Sequence, residues 1–383
     1  MKPVVIVGTG LAGYTVAREL RQLDRETPIT MITADDGRYY SKPMLSNAFK
    51  SGKTADQIAN ATVEEMAKQL NATIRTNTRV TTIDTAAQCV VMDGERVGYG
   101  RLVLALGADP IRLPIEGNGA ADVLSVNDLA DYARLRERLR PNACVVILGA
   151  GLIGCEFAND LRIAGFDVEV VDLAPHPLGR LLPAKAAASL RAGLEAIGVR
   201  FHFGTSCIEI ARDGNLYRAR LDNGETLAAD LVLSAVGLRP RTAIAAAAGL
   251  AVNRGINTNR LLQSSNPGIY ALGDCVEVER LNLPFVMPIM HAARALAKTL
   301  SGTDTPVSYP AMPVVVKTFS HPTVVSPPPA GGQGAWEEIV EGGSVKALFR
   351  SANGALLGFA LTGSTVTERQ ALTKLLPPVL AAN

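Results

Sequence analysis

The 383-residue sequence holds only five cysteines, and their placement excludes more than their number does. Cys89, Cys144, Cys155, Cys207 and Cys275 are scattered, none lies in a Cys-x-x-Cys pair, and the count is odd. That pattern argues against a disulfide framework, and a reducing cytoplasm is the expected location. Excess charge is also missing. The balance of 38 basic and 36 acidic residues leaves a formal +2, without a dense Lys/Arg run, so nothing argues for nucleic acid. No stretch of about twenty apolar residues is free of charge and glycine, so no membrane span is expected. The apolar N-terminus carries one Lys, and its glycines do not form a cleavage site, so it does not read as a signal peptide. The four histidines, His176, His202, His291 and His321, show no metal-ligand spacing; all read as structural, and no metal is expected. What is abundant is apolar: 48% hydrophobic against 19% charged residues suits large buried parallel sheets, with room for two or three domains.

The organising stretch is at the start. Val4-Val5-Ile6-Val7 reads as a buried strand and runs into Gly8-Thr9-Gly10-Leu11-Ala12-Gly13, with Ala17 and Leu20 continuing at helical spacing. In such a strand–turn–helix the first glycine makes the turn, the second admits a pyrophosphate, and the third lets helix pack on strand. The helix N-terminus offers free N–H groups to the diphosphate. One match is weak in a chain of 35 glycines. The plan recurs, however: Val145-Val146-Ile147-Leu148 leads into Gly149-Ala150-Gly151-Leu152-Ile153-Gly154. Each copy is followed by a hairpin signal, Asp93-Gly94 or Asn223-Gly224, and then by an apolar strand ending at Gly107 or Gly237. Two copies of one plan imply two dinucleotide-binding domains and two dinucleotides.

Between these landmarks, Ile29–Ile32 and residues 72–74 read as strands, and residues 63–70 and 129–139 as helices. After the second strand, the Thr33-Ala34 backbone is the expected ribose contact, with Asp35 as an alternative; Asp35 and Asp36 read equally well as a solvated turn. In the second copy, Asp172 directly follows strand Val168–Val171. A carboxylate there accepts from both ribose hydroxyls and repels a 2′-phosphate, which predicts NADH over NADPH; the plainer reading is a strand end. Ile269-Tyr270-Ala271-Leu272-Gly273-Asp274 places a carboxylate at the carboxyl end of a strand, where open α/β sheets bind ligands. Residues 289–300 read as a helix after Pro288, and residues 243–252 as a short packed helix. From Pro310 the composition changes to short strands, such as Val314–Val316 and residues 345–349, broken by Pro327-Pro328-Pro329, with a terminal helix around residues 366–376.

Through its paired glycine motifs, paired closing strands and Gly273-Asp274, the chain resembles the two-dinucleotide-binding flavoproteins, the pyridine nucleotide–disulfide oxidoreductase superfamily, over its whole length. The resemblance implies an α/β fold with two Rossmann-like dinucleotide-binding domains, one for FAD and one for NAD, and a small α+β C-terminal domain. The FAD domain is discontinuous (residues 1–109 and 241–310), the NAD domain spans 110–240 and the third 311–383. FAD contacts then fall on Gly8, Thr9, Gly10, Leu11, Ala12, Gly13, Thr33, Ala34, Lys42, Val80, Gly107, Glu156, Asp274, Val286 and Lys317. NAD contacts fall on Gly149, Gly151, Leu152, Ile153, Gly154, Asp172 and Gly237.

The departures narrow the branch. No Cys pair stands near the first helix, and Leu45-Ser46 is followed by Asn47 where the peroxide-handling branch has a reactive Cys. The loop Tyr40-Ser41-Lys42-Pro43-Met44-Leu45-Ser46, and Glu156 two places past the last glycine of the second motif, resemble the branch that reduces small iron proteins, above all the rubredoxin–NAD(+) reductases of alkane-oxidising bacteria. That resemblance implies catalytic roles for Lys42 and Glu156 at the reactive edge of the flavin, where the two, if paired, would position the ring, and rubredoxin as partner in support of alkane hydroxylation. A ferredoxin of an oxygenase system and oxygen itself are the alternative acceptors. Lys317 is expected either at the same ring or on the surface. Arg38, Lys42, Lys50, Lys53 and Lys317 are the basic groups expected to steer an acidic partner.

Overall fold

In the computed structural model, which describes residues 2–382, Val4–Val7 is buried on both faces, as a parallel strand between two helical layers must be. Six helices of eight residues or more occur among the described residues: α1 (Leu11–Leu23), α2 (Val63–Leu70), α3 (Leu129–Arg138), α4 (Leu152–Ile163), α5 (Ala184–Ala196) and α6 (Val286–Leu300).

The first sheet is parallel, with strand order Ile269–Ala271, Arg101–Leu104, Val4–Val7, Ile29–Ile32, Ala72–Arg75. The second repeats the plan: Arg200–Phe203, Asp167–Asp172, Cys144–Leu148, Leu231–Ser234, again parallel. In both, the glycine-motif strand lies between the second strand and the closing strand. That arrangement opens a crevice at its carboxyl end. Each unit also carries a three-stranded antiparallel excursion, at Thr82–Asp84, Cys89–Met92 and Glu95–Gly98, and at Cys207–Asp213, Leu216–Leu221 and Thr226–Ala229. The hairpins expected at Asp93-Gly94 and Asn223-Gly224 are the turns of these excursions.

The chain crosses between the two sheets twice, and the crossings pair with each other: Ala108–Pro110 runs antiparallel to Leu238–Pro240. A third, antiparallel sheet takes the order Val314–Val316, Thr323–Ser326, Leu356–Thr362, Ser344–Arg350, Ala335–Glu341. Its core is shared, because Val316, Val345 and Ala360 join Val145, Ala187 and Phe49 in one apolar cluster. The tail then returns to the first unit, where Tyr309 and Leu380 exchange both backbone hydrogen bonds.

Three expectations about helices need correction, the first being that the one expected over 243–252 is the single turn and a half Ala243–Ala247. The helix expected after Pro288 starts earlier, at Val286, with Pro288 inside its first turn. Proline is tolerated there because first-turn N–H groups have no partner within the helix. The terminal helix expected around 366–376 is a 3₁₀ turn, Gly363–Glu368, followed by the short helix Arg369–Thr373.

Candidate active site

Both glycine motifs fold as strand, turn and helix. Gly8 takes φ +110°, and a Cβ there would stand 2.2 Å from the Ala105 carbonyl oxygen. A Cβ on Gly13 would stand 1.9 Å from the Gly8 oxygen, and one on Gly154 1.8 Å from the Gly149 oxygen. These are the packing glycines. In front of Gly10 and Gly151 there is nothing within 4 Å. Those two are also the N-cap residues of α1 and α4, and neither helix has a side-chain cap. The contrast is with α2 and α3, whose first turns are capped by Thr62 and Asp128. An uncapped helix end facing open space leaves backbone N–H donors and the positive dipole end free for an anion.

Both ends open into one cavity of about 2520 Å³, beyond the roughly 300–1,000 Å³ of a single small-molecule site. Two dinucleotides fit that size. Every residue expected at a cofactor lines this cavity except Gly13 and Gly154, which lie behind the turns and act through packing. Thr33, Ala34, Val80, Gly107, Asp172, Gly237 and Asp274 are among the lining residues. So are Val286 and Met287 from the start of α6, a third helix end without a side-chain cap.

Asp172 stands at the carboxyl end of its strand. Its Oδ2 accepts the Ala150 N–H at 2.5 Å and its Oδ1 the Ala174 N–H at 2.7 Å, which holds the carboxylate at the lip of the glycine turn. Asp35 is also tied down, accepting from the Thr33 hydroxyl at 2.6 Å and the Gly37 N–H at 3.0 Å. It is an organiser of its turn that also faces the cavity, which combines the two readings made from sequence.

The charged groups pair differently from expectation. Lys42 does not meet Glu156. Its ammonium stands 3.7 Å from Asp274 Oδ2. Glu156 is paired with Lys317 instead: Oε2 lies 2.6 Å from Lys317 Nζ, and Oε1 accepts the Lys317 backbone N–H at 3.1 Å. The reason is reach across elements. Glu156 is 4% exposed on α4, and the strand Val314–Val316 delivers Lys317 directly over it. Ser46, which sequence reasoning did not single out, completes the cluster by donating to Glu156 Oε2 at 2.6 Å and accepting from Lys317 Nζ at 2.9 Å.

α4 carries two further buried polar groups on the same side, Asn159 and Asp160, at helical spacing from Glu156. Asn159 accepts the Ser320 N–H at 3.1 Å. Asp160 accepts the Phe49 N–H at 2.7 Å and the Lys50 N–H at 3.4 Å. The signal for them was present, as three polar residues in an otherwise apolar face of Leu152–Ile163. Burial pushes the Asp160 carboxyl up from 3.8 to about 6. A raised carboxyl binds its proton more tightly folded than unfolded, so stability falls as pH rises from about 4 to about 6. Asp160→Asn removes that dependence. Its stability relative to the parent should increase over that window by up to about 3 kcal/mol, measured by denaturant unfolding at a series of pH values.

The five basic groups expected on one face are partly neutralised. Arg38 bonds Asp36 and Asp56, and Lys317 bonds Glu156. Lys50 instead stands 3.1 Å above the ring of Phe319, which is 57% exposed. No thiol is set up for a relay. Burial pushes Cys144, Cys207 and Cys275 up to about 11 and Cys155 higher still. His321 bonds the Ser189 hydroxyl at 2.8 Å, His202 bridges Glu169 and Glu225, and His176 contacts the Pro177 carbonyl. Among the described residues no group of His, Cys, Asp and Glu can hold a metal ion, and no helix is long and apolar enough to cross a membrane.

Comparison with known proteins agrees with this geometry. Residues 2–298 match the family described as pyridine nucleotide-disulphide oxidoreductase, and residues 306–376 the rubredoxin binding C-terminal domain. A rubredoxin-NAD(+) reductase of Alcanivorax borkumensis is 51% identical, covering 99% of this chain and 100% of that one. One from Acinetobacter baylyi is 47% identical, with 100% of both chains covered. Among solved structures, the ferredoxin reductase of the CYP199A2 system from Rhodopseudomonas palustris superposes with a TM-score of 0.88 at 29% identity, covering 98% of this chain and 96% of that one. The chain belongs to the rubredoxin–NAD(+) reductase family, within the FAD-dependent pyridine nucleotide–disulphide oxidoreductases.

Proposed function

We propose that this chain is an FAD-dependent oxidoreductase that takes reducing equivalents from NADH and passes them to rubredoxin. The observation that carries the reading is the single cavity shared by two uncapped glycine-loop helices, with Lys42, Glu156 and Lys317 on its wall. The three sheets and the paired crossings support a division into an FAD domain (1–109 and 241–310), an NAD domain (110–240) and a third domain (311–383).

FAD, when bound, would supply the hydride-accepting and single-electron chemistry that side chains lack. The chain's own residues bind and orient. The α1 N-terminus with Gly8, Thr9, Gly10, Leu11 and Ala12 holds the FAD diphosphate, while Thr33, Ala34, Val80, Gly107 and Asp274 border its remaining length. The α4 N-terminus with Gly149, Gly151, Leu152 and Ile153 holds the NADH diphosphate, and Asp172 takes its ribose and repels a 2′-phosphate. Lys42 and the Glu156–Lys317 pair would set fixed electrostatics at the flavin, and Val286 would border it. All five cysteines are free and none lies in a Cys-x-x-Cys pair, so no dithiol is available to relay electrons and the flavin is their point of exit. Rubredoxin docking is supported by the exposed apolar side chains Val286, Met287 and Val315 of the cavity lining, and by exposed Phe319 under Lys50.

The test is an anaerobic titration of the FAD-loaded protein. NADH should bleach the flavin absorbance, and oxidised rubredoxin should restore it quickly at low concentration. Restoration by a ferredoxin alone, or by oxygen at a comparable rate, would replace rubredoxin as acceptor. No bleaching would overturn the NADH site.

A further inference from the structure

We infer that Ser46 is a positioning residue of the flavin site, and that by holding Lys317 it leaves Lys42 as the lysine free to hydrogen-bond into the cavity. This rests on the flavin reading above. An ammonium has three donors. Those of Lys317 are all taken up by the protein: Glu156 Oε2 at 2.6 Å, the Pro43 carbonyl at 2.6 Å and Ser46 Oγ at 2.9 Å. Glu156 is equally committed, since its Oε2 takes Lys317 Nζ and the Ser46 hydroxyl while its Oε1 takes the Lys317 backbone N–H. The pair therefore acts as a fixed, hydrogen-bonded dipole, and its ammonium has no donor left for a ligand. Lys42 has only the longer contact to Asp274 at 3.7 Å, which leaves its donors available to the cavity it lines.

Ser46 itself is 2% exposed and is not among the residues lining the cavity. It can reach the flavin only through the pair. Without its hydroxyl, one Lys317 donor and one Glu156 acceptor lose their partner at a buried site, and the ammonium is no longer held in one place. Lys317 is the more exposed member of the pair, 20% against 5%, so it is the ammonium end of this fixed dipole that favours the reduced flavin, and loosening it makes the flavin harder to reduce.

The experiment uses the FAD-loaded full chain and reads two quantities, the flavin midpoint potential and the rate of anaerobic bleaching by NADH. Ser46→Ala should move the potential negative and slow bleaching about tenfold, a loss of one well-placed hydrogen bond. Ser46→Thr, which keeps the hydroxyl, should restore both. In a Lys317→Met/Glu156→Gln background, where there is no ion pair to hold, Ser46→Ala should change neither. Should Ser46→Ala not fold, Ser46→Cys takes its place and the same outcomes decide. An unchanged potential with only a lower melting temperature would overturn the proposal by making Ser46 structural. An equal shift in the double-variant background would overturn it too. A parent protein that binds no flavin would instead overturn the functional reading on which it rests.

Discussion

Gly10→Val yields a folded chain that retains almost no flavin. A Cβ at Gly10 meets nothing within 4 Å, so the added side chain disturbs no protein contact and instead fills the space ahead of the α1 N-terminus. A diphosphate placed there would lose at least two charge-assisted hydrogen bonds, at roughly 1.5–3 kcal/mol each, which weakens binding by about 100-fold or more. The contrasting substitution is Gly13→Val. Its Cβ would stand 1.9 Å from the Gly8 carbonyl oxygen, so the strand–turn–helix itself must shift. That variant should lose structure along with flavin. Flavin absorbance of the purified proteins and circular dichroism of the flavin-free forms separate the two effects. Full flavin content in Gly10→Val would remove the first site from α1.

The second large effect is at the buried ion pair. In Lys317→Met, Glu156 keeps its charge with its side chain only 5% exposed and its cation gone. Breaking a buried pair from one side costs about 3–5 kcal/mol, far more than the pair contributes when intact. Chemical denaturation should report that loss. Adding Glu156→Gln removes the stranded charge, and most of the stability should return. The bleaching rate with NADH should not return, because the ion pair proposed to face the flavin is still missing; a decrease of about 100-fold is expected for losing one preorganised electrostatic group. Stability and rate are thus predicted to separate. If the double variant recovered both together, the pair would be a structural link between the third sheet and α4 and nothing more.

The same cluster marks the limit of sequence reading. The glycine motifs were legible because a single covalent segment carries strand, turn and helix. Gly8, Gly10 and Gly13 each have a local reason to lack a side chain, and the repeat at Gly149, Gly151 and Gly154 removed the ambiguity of one match. Alternation between strand and helix likewise indicated two parallel sheets. The position of Asp172 at a strand end was readable for the same reason, since strand length alone places it.

The partners of Lys42, Glu156 and Lys317 were not readable. Glu156 and Lys317 are 161 residues apart, and their contact exists only because the third sheet packs its core onto the second unit. A lysine in the first loop was an equally plausible partner on residue type, yet the fold hands it to Asp274. Nor does spacing reveal that Ser46 lies beneath the pair, or that Asn159 and Asp160 hold neighbouring segments against α4. Local backbone preferences and short periodicities are written along the chain, and so the sequence by itself determined the two dinucleotide units and the order of their elements. Which charges meet in the cavity depends on long-range packing and on where each side chain can be desolvated with its hydrogen bonds satisfied, and only the tertiary structure decided that.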